Sequence, residues 1–88
     1  MSTVFNSQDL YHYMRFLTET LNQRGLSVLA DGVAVASGVA ASSSTEFLGE
    51  ARIALRRVCN EEKGALTAQE RGDLADVLRQ LDEALDGG

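Results

Sequence analysis

The sequence predicts a mainly α domain with a minor β part: an N-terminal helix, a small β-hairpin and a C-terminal antiparallel helical hairpin around one core. Three observations carry this expectation. Apolar residues recur at helical spacing in three separated stretches. Capping residues and glycines punctuate those stretches where helices start and stop. The last two stretches are separated only by Gly64, Ala65 and Leu66, which is short enough to make them antiparallel neighbours.

The first helix is expected over about residues 7–24. Asn6 can cap it, with Asp9 in the capping-box position, and Phe5 can meet Leu10 as a hydrophobic staple. Leu10, Tyr13, Met14, Leu17 and Leu21 fall on one face. Gly25 suits the left-handed residue that ends a helix, and Leu26 after it can fold back on Leu21.

Residues 27–36 admit two readings, a hairpin or a short helix. Ser27-Val28-Leu29-Ala30 and Val33-Ala34-Val35-Ala36 flank Asp31-Gly32, a preferred two-residue hairpin turn because both central positions need positive φ. That turn sets Val28 opposite Val35 on one face. The helical alternative uses Leu26, Leu29, Ala30 and Val33, and places Gly32 and Gly38 inside a helix at about 1 kcal/mol each relative to alanine. The glycine cost favours the hairpin.

A small, polar loop follows from Gly38 to Ser44. Ser43 with Glu46 then forms a second capping box, opening a helix over about 44–62. Phe47, Leu48, Ala51, Ala54, Leu55, Val58 and Cys59 make its broad apolar face, and Gly64 stops it after Lys63. Thr67 with Glu70 forms a third capping box, for a helix over about 68–86. Its Leu74, Leu78, Leu81 and Leu85 form a narrow heptad-like seam, expected to face Leu48, Leu55 and Cys59. Gly87-Gly88 end it.

Composition bounds the function classes. The 88 residues make one domain, and 44% apolar residues suffice for a core. One cysteine allows neither an intrachain disulfide nor a thiolate zinc cluster, and an unpaired thiol fits a reducing, cytoplasmic setting. Residues 1–6 lack the basic and apolar runs of a signal peptide. The stretch Leu26 to Thr45 holds Asp31 and five serines, a mixture hydrocarbon rejects, so no membrane partner is expected. The net charge is −5, with ten acids and six bases in residues 44–88, and that sign opposes attraction to phosphate backbones.

No residue pattern points to catalysis, a cofactor or a metal. His12, the one histidine, projects to the edge of the core face beside Phe16 and Glu19, and Cys59 projects onto an apolar face where thiols are inert. The acid pairs Glu46/Glu50, Glu61/Glu62 and Asp73/Asp76 project to solvent faces, interleaved with Arg57, Arg71 and Arg79. Ser42-Ser43-Ser44 precedes a helix without the Asp-Ser-Leu signature of an acyl carrier.

Two residues are apolar where the helices should be polar. Ile53 projects opposite the apolar face of its helix, near Gly49, Arg56 and Arg57, and Tyr11 projects outward beside Arg15 and Thr18. Aromatic and arginine residues are enriched at protein interfaces. Tyr11, Arg15, Ile53, Arg56 and Arg57 are therefore the candidate contacts of a non-catalytic protein–protein interaction module. Its partner is another protein or, through the leucine seam, a second copy.

The alternative is a small regulator touching nucleic acid through Arg52, Arg56 and Arg57, a cluster diluted by Glu50 and Glu61. The order helix, Asp31-Gly32 hairpin, Ser/Thr-rich loop and Ser43-Glu46 helix start is also similar to the small head–tail joining proteins of lambdoid phages. That likeness covers about half the chain and implies an assembly role.

Overall fold

A computed structural model describes residues 7–38, 44–62 and 64–86. Four helices run through them: α1 (Ser7–Gln23), α2 (Ser27–Gly38), α3 (Ser44–Glu61) and α4 (Ala68–Asp86). The mainly α expectation holds, and no strand occurs among the described residues. Three of the helices lie within a residue of the sequence-based bounds. The expected staple residue Phe5, the caps Asn6 and Ser43, residues 39–43 of the expected loop, Lys63 and the terminal Gly87-Gly88 lie outside the described residues, whereas Gly38 and Ser44, placed in that loop, belong to α2 and α3.

The β-hairpin is the principal correction. Residues 27–38 form one helix, with Asp31 and Gly32 in its middle. Leu29, Ala30, Val33, Ala36 and Ser37 are buried, a 3–4 spacing that only a helix can turn to one side. Burying Leu29 and Val33 is worth about 1.5–3 kcal/mol each, which outweighs the cost of about 1 kcal/mol for Gly32. Val28 and Val35, paired inward in the hairpin reading, become i, i+7 neighbours and point outward. The order of elements that resembled the phage joining proteins thereby loses its hairpin.

Each helix packs on the next in sequence: α1 on α2, α2 on α3 and α3 on α4, with a thinner α1–α3 contact. The core takes Leu10, Met14, Leu17 and Leu21 from α1, and Leu29, Ala30, Val33 and Ala36 from α2. From α3 it takes Phe47, Ala51, Leu55 and Val58, and from the last connection and helix it takes Leu66, Leu74 and Leu81. Of the leucine seam of α4, Leu74 and Leu81 are buried in this core, Leu78 packs against it partly buried, and Leu85 is half-buried.

The turns follow their predicted chemistry. Gly25 adopts φ 79°. The Leu26 N–H donates to the Leu21 carbonyl (2.9 Å) and that of Gly25 to Asn22 (3.2 Å), the paired bonds of a Schellman motif. Gly64 adopts φ 85° between α3 and α4. Thr67 and Glu70 form the expected capping box: the Glu70 N–H donates to Thr67 Oγ1 (3.1 Å) and the Thr67 N–H to Glu70 Oε1 (2.9 Å).

Glu62 corrects the expectation of a solvated acid. It is buried, and its Oε1 accepts the N–H groups of Gly64 (2.8 Å) and Leu66 (3.2 Å). A turn that leaves helix geometry exposes donors with no backbone partner, and this carboxylate satisfies two of them.

Candidate functional site

The α3–α4 flank of the molecule is closed by ions. Arg52 Nη1 and Arg56 Nη2 both donate to Asp82 Oδ1, at 3.2 and 3.0 Å, and Arg52 also lies 3.8 Å from Asp86. The descending register, 52 with 86 and 56 with 82, shows the antiparallel run of α3 and α4. Arg57, on the other flank of α3, donates to Glu61 one turn along (3.1 Å). The three arginines that the nucleic-acid reading needs are thus each matched to a carboxylate.

A second polar closure joins the end of α1 to the start of α4. Arg24 grips Glu70 with both terminal guanidinium nitrogens, Nη2 to Oε2 at 2.9 Å, and its Nη1 also donates to the Ala65 carbonyl (3.0 Å). These bonds, Arg24 first and the Thr67 N–H second, lower the Glu70 carboxyl to a pKa of about 2. Close by, Tyr13 lines a cleft of about 20 Å³ with Phe16, Leu17, Thr20, Glu70 and Asp73. Burial pushes its phenol well above the ordinary value, and the Asp73 and Glu70 charges add to that.

The α2–α3 flank is built differently. Between these helices runs a groove of about 140 Å³, lined by Leu29, Gly32, Val35, Ala36, Glu50, Ile53, Ala54 and Arg57. Val35 and Ile53 stand on it with 73% and 65% of their surface exposed, and Val28, on the same side of α2, is 67% exposed. Gly32 keeps the floor low, since nothing lies within 4 Å of where its Cβ would be. Glu50 has no ion pair among the described residues.

The sequence-predicted contacts divide between elements. Ile53 and Arg57 belong to this groove, whereas Arg56 turns to Asp82 on the other flank. Arg15 is exposed on α1. Tyr11 is not outward-facing as expected: it is partly buried against the core, its ring edge-on to His12 with centroids 5.8 Å apart. Neither Tyr11 nor Arg15 lines the groove. Val28 and Val35 were missed, and their signal was the i, i+7 spacing around Gly32 that the hairpin reading obscured.

The remaining chemical candidates stay apart. Cys59 is exposed, contrary to its assignment to the apolar face, because it sits at the edge of the arc whose centre is Leu55 and Val58. His12 is also exposed, and the neighbour its ring meets is Tyr11 rather than Phe16. Among the described residues no group of three or more His, Cys, Asp or Glu is placed to hold a metal ion. No described helix is long and apolar enough to cross a membrane.

No family model matches the chain, and no curated protein and no solved structure matches it. The reading of function therefore rests on the geometry.

Proposed function

We propose that this chain is a small protein–protein interaction module without catalytic activity, and that it binds through the α2–α3 groove. One observation carries the proposal: Val35 and Ile53, on two adjacent helices, are each about two-thirds exposed or more and line a common groove, and Val28, equally exposed, lies two turns from Val35 on the same side of α2. Scattered exposed apolar residues need no explanation, but a contiguous apolar patch rimmed by charge marks a contact surface. Here Glu50 and Arg57 supply the charged rim.

The α3–α4 flank supports the same choice by contrast. Its arginines are occupied within the chain, and Leu74, Leu78 and Leu81 lie in or against the core. The nucleic-acid alternative gains no observation of its own, since Arg52 and Arg56 share Asp82 and Arg57 is held by Glu61.

The test is binding by matched variants. Val35→Glu and Ile53→Glu should each abolish capture of whatever binds the wild-type chain, while Asp82→Asn on the far flank keeps it. Exposed positions tolerate such changes, so far-ultraviolet circular dichroism should be unaltered. A chain that captures nothing and sediments as an inert monomer, or one whose capture ignores both groove substitutions, would overturn the proposal.

A further inference from the structure

The exposed line of α3 has a charge order with a consequence for what fills the groove. Glu50, Ile53 and Arg57 occupy successive turns, so the apolar side chain has an acid one turn before it and a base one turn after. A helix patterned acid–apolar–base is complementary to itself when a second copy runs antiparallel. With the two Ile53 side chains meeting at the two-fold axis, Glu50 of each copy faces Arg57 of the other. A parallel arrangement would set acid against acid.

We infer that the occupant of the α2–α3 groove is a second copy of this chain, bound by antiparallel α3–α3 packing centred on Ile53. This rests on the groove being a binding surface, and it names the partner.

Several features fit that arrangement. Two-fold dimers use one patch twice, and such a patch must carry its own complement, which a purely acidic or purely basic groove would not. Glu50 has no ion pair within the chain among the described residues, and Arg57 gives up only an exposed one-turn bond to Glu61 to reach it. Gly49 and Gly32, with open space where a Cβ would stand, let the second helix approach closely. Val35 and Val28 then flank the central isoleucines and bury the surface they now expose.

A partner of one charge, such as a basic amphipathic helix, would satisfy Glu50 and leave Arg57 repelled. Self-pairing satisfies both.

The experiment is sedimentation of the full chain over a concentration series, with charge reversal at the two positions. Wild-type protein should pass from monomer to dimer as concentration rises. Glu50→Arg alone and Arg57→Glu alone should each raise the dimer dissociation constant by about tenfold or more, because each change sets like charges opposite one another twice. The double variant Glu50→Arg/Arg57→Glu restores the complementary order and should recover the dimer. Ile53→Asp should leave a monomer with unchanged helix content.

A wild-type chain that stays monomeric throughout, or a dimer indifferent to the single reversals, or single losses that the double variant does not repair, would each overturn the inference. A monomer that still captures a different protein through Val35 and Ile53 would refute self-pairing and leave the groove as a binding surface. A monomer that captures nothing would refute both.

Discussion

The two flanks of α3 use similar residues for opposite ends. Toward α4, Arg52 and Arg56 reach across to one carboxylate, Asp82, and the apolar side chains beneath them are covered. Toward α2, Glu50 and Arg57 do not reach across, and the apolar side chains of both helices stay at the surface. Long charged side chains can seal a helix seam when the facing helix offers a complementary group at the right height. Helix α2 carries one charge, Asp31, which does not line the groove, and apolar or small residues elsewhere, so it offers none there. The seam without a polar partner is the seam left open to another protein.

Breaking the core that both flanks share should give the largest effect. Leu55→Ala removes a fully buried side chain from α3 and should cost about 2–5 kcal/mol in urea unfolding. Ile53→Ala, two residues back on the same helix but on the open flank, should stay within about 0.5 kcal/mol when both chains are compared dilute and monomeric. Equal losses at the two positions would mean that Ile53 is packed within the chain.

The polar closure around α4 should differ from the apolar groove in its response to acid. The folded Glu70 carboxyl titrates at about 2, below its ordinary value of 4.5, so the stability it contributes is present above about pH 4.5. That contribution is lost as pH falls from there through about 2. In Glu70→Gln the same acid-dependent loss should shrink, which urea midpoints at pH 7 and pH 3 would reveal. Groove variants should leave the acid dependence unaltered.

A smaller and more diagnostic effect is expected at Gly32. In a helix interior, with space for a Cβ, Gly32→Ala should raise stability by about 0.5–1 kcal/mol. In a two-residue hairpin turn the same change would lower it, because alanine resists positive φ. The sign of the shift in melting temperature separates the two.

The same contrast explains what the sequence made legible. Helices α1, α3 and α4 alternate apolar and charged positions and are bounded by Gly25, Gly64 and the Thr67–Glu70 box, so period and punctuation agree. In α2 nearly every position is apolar or small, so there is no polar face to give the period away, and Asp31-Gly32 satisfies turn chemistry locally. What makes it helical is the burial of Leu29 and Val33 between α1 and α3, a tertiary fact.

The site divides likewise. Ile53 was readable as an apolar residue among charges on a strongly periodic helix. Val28 and Val35 were not, because their exposure depends on the fold of α2. The pairing of Arg52 and Arg56 with Asp82 depended on the register of α4, and the burial of Glu62 on the donors of the turn it serves.

The direct test of the contrast is site-specific photo-crosslinking, with the reactive group placed in turn at residues 28, 35 and 53 on the open flank and at 71, 79 and 83 on α4. All six positions are exposed, so differences report contact rather than access. Adducts confined to 28, 35 and 53 are the predicted result. Adducts at the α4 positions, or equal yields at all six, would contradict the assignment of the α2–α3 flank as the binding face.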